Sequence, residues 1–250
     1  EMGIPDPQLA PPYEEDFDAQ FAKVIELKPA ALSFVFGLPD QPHLKEARRN
    51  NILLVGTATS YEEAQALEAA GVDAITLQGI EAGGHRGVFG AEAKDPEIKA
   101  LDLLRQCFEK IRIPLIAAGG IMTREQIRVA LSTGAQAVQM GTAFLACREA
   151  GTSAPYRAAL LSSPHRETKT TRVFSGRLAR GIQNRFMREM ESLDPEVILP
   201  FPAQNQFTRD LRTASTKRGS SDFLSLWAGT GYGDLWQGSC GDLILSLLEG

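Results

Sequence analysis

Five short apolar runs, each leading into glycine or threonine and most of them followed by a helical pattern, constrain the fold of this chain more than any other feature. They are Ala31 to Gly37, Ile52 to Thr57, Ala74 to Gln78, Ile113 to Ala118 and Ala137 to Thr142. The first two are apolar at nearly every position instead of every second one, the pattern of parallel strands covered on both faces. After the second run, Ser60-Tyr61-Glu62-Glu63 opens a helix with a capping box, Ala64, Leu67 and Ala70 mark its apolar side, and Gly71 ends it. After the fourth, Thr123-Arg124-Glu125-Gln126 and Gly134 bracket another helix. This alternation predicts a parallel α/β architecture with its functional groups on the loops after the strands' C-terminal ends.

One of those loops carries unusual chemistry. The third run feeds directly into Gln78-Gly79-Ile80-Glu81-Ala82-Gly83-Gly84-His85-Arg86-Gly87. Its glycines let backbone approach a ligand closely, and Gln78, Glu81, His85 and Arg86 supply directional polar groups. Two further loops, Ala118-Gly119-Gly120-Ile121 and Gln139-Met140-Gly141-Thr142, end the next two strands and run towards helix N-termini. Free backbone N–H groups and the helix dipole favour an anion there, so the pair reads as a phosphate site. In eight-stranded barrels the last two strands grip phosphate in this way.

Composition narrows the function classes. With 250 residues, 43% of them hydrophobic and 23% charged, the chain can build one sizeable core or one α/β barrel. A net charge of -5 and an isoelectric point near 5.4 argue against nucleic-acid and anionic-membrane partners. The basic stretch Arg172 to Arg188 is expected to be solvated surface or an anion clamp. Cys107, Cys147 and Cys240 are odd in number, widely spaced and free of metal-ligand spacing, which predicts reduced thiols and no metal site. No apolar stretch reaches the ~20 residues that span a bilayer, and Glu1 to Asp6 lacks a signal pattern, so the expectation is a cytoplasmic protein.

Taken together, these motifs resemble the FMN-dependent nitronate monooxygenases, formerly 2-nitropropane dioxygenases. The resemblance rests on Gln78 to Gly87, Pro114 to Ile121, Gln139 to Leu145 and Phe174-Ser175-Gly176-Arg177-x-Ala179-Arg180-Gly181, in the family's order and spacing. Leu226-Trp227-Ala228-Gly229 also matches, with Thr230 where glutamine is usual. The resemblance implies a (β/α)8 barrel of TIM type and the oxidation of nitronates by flavin and O2 to carbonyl compounds and nitrite. It further implies that Gln78 and Gly83 contact FMN, that Gly119, Gly120, Gln139, Met140, Gly141 and Thr142 hold its phosphate end, and that His85 is catalytic. The alternatives are an FMN-dependent enoyl-ACP reductase-like oxidoreductase, which would consume NAD(P)H, and a truncated, non-catalytic fragment that binds no flavin.

The departure from the family is the strand count. Five strand-helix units precede the C-terminal region where a closed barrel needs eight, and Glu14 to Leu27 reads as the amphipathic helix before the fourth barrel strand. The expected organisation is a single partial barrel over residues 1–250, with the strand-helix repeats and flavin loops at 30–145 and a mainly helical region at 146–250. Minor expectations complete the reading. Glu81 supports its loop through backbone N–H groups or acts as a base, and Arg86 steers an anion or pairs with an acid on the rim. His43 and His165 lie at the surface. Phe144, Leu145, Tyr156, Leu160 and Leu161 pack helices, Arg177, Arg180 and Arg185 form a solvated helix face or reach the flavin phosphate, and Leu193 to Ser221 is a connector with a polar helix.

Overall fold

The computed structural model describes residues 3, 10–91, 93–162, 167–233 and 235–248; His165 and most of the N-terminal opening lie outside them. In chain order the first half runs α1 (Phe17–Leu27), β1 (Ala31–Phe34), α2 (Gln41–Arg49), β2 (Leu53–Ala58), α3 (Tyr61–Ala70), β3 (Ala74–Gln78), β4 (Gly84–His85), α4 (Ala100–Phe108), β5 (Leu115–Ala118), α5 (Arg124–Ser132) and β6 (Ala137–Gln139). The second half holds α6 (Ala154–Ser162), β7 (Thr168–Thr171), β8 (Ala179–Ile182), α7 (Arg185–Glu191), α8 (Ala203–Phe207), α9 (Arg209–Lys217) and α10 (Cys240–Leu248).

All five expected strands form, and they make one parallel sheet in the order β1-β2-β3-β5-β6. Ser60 caps α3 by accepting from the Glu63 N–H, and Thr123 and Gln126 form a reciprocal capping box on α5. Leu54, Ala58, Ile75, Leu77, Leu115 and Ala117 project to one side of the sheet and join Leu44, Leu67, Leu103 and Leu104 from α2, α3 and α4 in the main core. The opposite side alternates with them and carries Ser33, Thr57, Thr76, Gln78 and Gln139 towards the strands' C-terminal ends. Near the other end of that face Leu53 is 54% exposed, in a position that a closed barrel would bury. Among the described residues no strand pairs with the outer edge of β1 or β6, so the barrel is open.

The region after β6 is not only helical. β7 and β8 form an antiparallel hairpin, and β8 also pairs with β4, through Gly84↔Arg180 and His85↔Ala179. Thr168-Lys169-Thr170-Thr171 has no apolar alternation and β4 is two residues long, so neither carries a strand signal in sequence. The small sheet sits over the C-terminal ends of the parallel strands, backed by clusters around Leu160, Ile182 and Tyr232 and around Phe174, Phe186 and Met187.

Candidate active site

The loop after β3 is pinned by a charge. Arg86 is fully buried: its Nε donates to Asp95 Oδ2 at 2.6 Å, and one Nη donates to Gln78 Oε1 at 2.8 Å and to the Gly79 carbonyl at 2.5 Å. It therefore sits beneath the loop, not on a rim, and the acid it meets is as buried as itself. Gln78 passes this order on. Its Oε1 accepts from the Gly87 N–H at 2.8 Å and its Nε2 donates to the His85 carbonyl at 3.1 Å, so one side chain fixes the backbone on either side of Arg86. Glu81 supports the loop as expected, accepting from the Ala100 N–H at the start of α4 at 3.0 Å. Asp95→Asn leaves the Arg86 guanidinium buried without its counter-charge; it should cost about 3–5 kcal/mol of folding stability, read from denaturant unfolding.

His85 projects from β4 into an aromatic enclosure. Its ring lies 6.0 Å from Phe36, 6.0 Å from Phe201 and 5.7 Å from Trp227, centre to centre. Phe36 holds a left-handed backbone with φ at 76°, which a bulky residue rarely adopts, and the Arg177 guanidinium stacks 3.8 Å above its ring. Burial, then the positive charges of Arg177 and Arg212, lower the His85 pKa to about 4, so the ring is neutral at physiological pH. Its Nε2 is 2.8 Å from Ser175 Oγ, whose hydroxyl donates to the Arg177 carbonyl at 3.1 Å. When the hydroxyl proton goes to that carbonyl, Ser175 receives Nε2–H, and the imidazole lone pair falls on Nδ1.

The nine sequence-predicted residues are brought to one cavity of about 440 Å³ at the C-terminal ends of the parallel strands. Gln78, Gly83 and His85 come from the segment running from the end of β3 to β4, Gly119 and Gly120 from the turn after β5, and Gln139, Met140, Gly141 and Thr142 from the end of β6 and the turn after it. Gly119 and Gly120 hold φ of 111° and 71°, and a Cβ added at Gly141 would meet no protein atom within 4 Å, so backbone is bared to the cavity there. Gly83 is needed for packing as well: a Cβ on it would lie 2.5 Å from the Gly229 nitrogen. The Thr230 N–H donates to the Glu81 carbonyl and the Gly229 N–H to Thr142 Oγ1, both at 3.0 Å, which draws the Trp227 segment over the cavity.

Other expectations need correction. Arg177 is buried and Arg180, on β8, reaches the Ile80 carbonyl at 2.7 Å; only Arg185 lies on a partly solvated helix, paired with Glu189. The basic stretch is thus dispersed and forms no single patch. His43 is half-buried between Asp18 and Asp40 and packs on Phe17 and Phe21. Leu145, Tyr156 and Leu160 pack as expected, Tyr156 also donating its hydroxyl to the Trp227 carbonyl, while Leu161 is 37% exposed. The connector at 193–221 supplies Phe201 to the His85 enclosure. Ser175, Phe36 and Phe201 were not singled out as site residues; Ser175 stands inside a quoted motif, but the other two carry no sequence signal. Among the described residues no group of three His, Cys, Asp or Glu could hold a metal, and no helix is long and apolar enough to cross a membrane.

A parallel α/β sheet of the TIM-barrel type with its cavity at the strands' C-terminal ends defines the class of scaffold. The chain belongs to the nitronate monooxygenase family, whose sequence profile matches residues 2–250. It is 41% identical over 230 residues to a probable nitronate monooxygenase of Staphylococcus saprophyticus, covering 91% of this chain and 64% of that one. It is 38% identical over 221 residues to the corresponding Bacillus subtilis protein, covering 88% and 63%. The crystal structure of nitroalkane oxidase from Streptomyces ansochromogenes superposes with a TM-score of 0.87 at 40% identity, covering 92% of this chain and 66% of that chain. FabK from Thermotoga maritima follows at 0.75 and 27% identity, covering 96% and 73%. The chain therefore spans just under two thirds of its more similar relatives.

Proposed function

We propose that the protein, with its sheet completed by the remaining third its relatives carry, is an FMN-dependent nitronate monooxygenase. It would oxidise alkyl nitronates with O2 to carbonyl compounds and nitrite. The observation that carries this reading is a neutral, enclosed histidine facing the same cavity as a bared glycine backbone. Residues 30–145 supply the loops of that cavity, and residues 146–250 complete its wall as part of the same domain.

The residues present fit the cofactor. Gly119, Gly120 and the segment Gln139 to Thr142 offer backbone N–H groups close to α5, where one phosphate is favoured. The space beside Gly141 is open to such a group. Gln78 and Gly83 would border the ring system, Gln78 acting as much through the loop it holds as through contact. FMN, when bound, supplies the electron transfer to oxygen, and the protein binds, orients and shields.

Two features match the substrate. The positive charges of Arg177 and Arg212 bear on His85 and favour an anion such as a nitronate beside it. The lone pair on His85 Nδ1 can take the α-proton of a neutral nitroalkane, giving the nitronate in place. Phe36, Phe201 and Trp227 surround the His85 ring and restrict water around it.

The test is a visible spectrum and an assay of the sheet-complete protein. Flavin bands, nitrite release and O2 uptake without nicotinamide support the reading; activity that requires NAD(P)H oxidation turns it to the reductase alternative. Gly141→Leu is the cleaner probe of the phosphate grip, because a Cβ there meets no protein atom within 4 Å and needs no unusual φ. It should weaken FMN binding at least tenfold, about 1.4 kcal/mol, with unfolding unchanged. Gly120 is a poorer probe, since at φ 71° any substitution strains the fold itself.

A further inference from the structure

Cys147 and Cys240 are brought together by segments far apart in sequence. Cys147 is fully buried in the turn that follows β6, and Cys240 opens α10, partly exposed to solvent. The Arg148 N–H donates to the Gly238 carbonyl at 3.0 Å and the Cys240 N–H donates to Glu149 Oε2 at 3.0 Å, so the two segments run side by side. Ala143, Cys147 and Leu243 form an apolar cluster into which Phe144, Cys240 and Leu247 pack, so Cys147 and Cys240 share one cluster. All three cysteines are free thiols, and Cys107 belongs to the separate main core.

We propose that Cys147 and Cys240 are a reversible redox pair that closes to a disulfide when a hydroperoxide reaches Cys240. The Cys240 sulfur attacks one peroxide oxygen; an S–O bond forms, the O–O bond breaks, and with hydrogen peroxide the other oxygen leaves as water with the thiol proton. The Cys147 sulfur then attacks the Cys240 sulfur. The S–S bond forms, the S–O bond breaks, and a second water leaves with the Cys147 proton. Two thiols give up two electrons and one peroxide becomes two waters; a dithiol reverses the change. A resolving thiol in the same cluster favours this outcome over further oxidation of Cys240.

The setting makes the closure slow. Burial, then the hydrogen bonds to Cys147 and Glu149 and the charges beside it, push the Cys240 thiol up to about 11, leaving little thiolate at neutral pH. The consequence of closure is local. α10 packs on the segment that begins at Gly141 and Thr142 in the cavity wall, and the disulfide would tie the two covalently. Neither cysteine is among the residues assigned to FMN, so the pair stands or falls independently of the proposed function.

Reduced, sheet-complete protein is exposed to hydrogen peroxide at about pH 7 and about pH 9 and mapped without reductant. A Cys147–Cys240 linked peptide is expected, forming faster at the higher pH. Cys147→Ser should stop the reaction at a Cys240 sulfenic acid that a 1,3-diketone captures. Glu149→Gln removes the neighbouring carboxylate charge and should speed closure at neutral pH. Each tenfold gain in thiolate is worth only about threefold in rate, because nucleophilicity falls with the pKa. A linked peptide containing Cys107, a disulfide between two copies, Cys240 carried to sulfinic acid with Cys147 still reduced, or two unmodified thiols at the higher pH would each overturn the proposal.

Discussion

Replacing His85 by asparagine in the flavin-loaded, sheet-complete protein is expected to lower turnover of neutral nitroalkanes by roughly 10²–10⁴-fold, the range for a positioned acid–base group. FMN should remain bound, because His85 is not among the residues assigned to its phosphate. Turnover of pre-formed nitronate should fall much less, since its α-proton is already gone. Steady-state rates on both substrate forms decide the matter; an equal, small loss on both would reduce His85 to a structural residue. Ser175→Ala removes the acceptor that directs Nε2–H and frees the ring to change tautomer, so part of the same selective loss is expected from a residue that never meets the substrate.

The pH dependence follows from the lowered His85 pKa of about 4. A base with this pKa is already deprotonated at neutrality, so nitroalkane turnover should hold steady through the pH at which an unperturbed histidine titrates, about 6.5, and fall only near 4. Stability has the matching sign. Between about 4 and 6.5 the unfolded chain binds the proton and the folded one does not, so folding stability rises with pH across that window. The penalty, complete below about 4, is roughly 3 kcal/mol and should be absent in His85→Asn. Denaturant unfolding at several pH values reads this without any cofactor, and a flat profile in the unsubstituted protein would contradict the enclosure of His85.

What was legible beforehand was local. The parallel strands, the capped helices and the glycine loops announce themselves within windows of about ten residues, and the structure brings all nine predicted site residues to one cavity. The run at 31–37 stops being a strand at Phe34 because the next residues turn, with positive φ at Phe36 and Gly37. What was illegible depends on contacts across the chain. Ser175 meets His85 over 90 residues, and Phe201 arrives from a stretch that reads as a connector. Arg86 reads as surface because an arginine is buried only when other groups satisfy it, and those groups, Asp95 and the Gln78 and Gly79 oxygens, acquire that role only once the loop has folded around it. The small antiparallel sheet pairs a threonine-rich strand with one of only four residues, patterns with no helical or alternating signature.

The open sheet carries the second large effect. Among the described residues β1 and β6 each present an unpaired edge, and the face that would line a barrel interior leaves Leu53 54% exposed, with Ala31 beside it and Ala137 at the far edge also exposed. Unpaired strand edges and bared apolar surface recruit other chains, so this span on its own should aggregate or bind a hydrophobic dye. It should also take up little FMN, because the sheet forms only part of a wall around the cavity. Fusing it to the third of the sequence that its relatives carry beyond the match should pair both edges and restore solubility, flavin content and nitrite release together. A monodisperse, yellow and active preparation of residues 1–250 alone would contradict this. Three further strands would then be unnecessary, and the cavity between the parallel sheet and the β4-β8-β7 sheet would be sufficient to hold the flavin by itself.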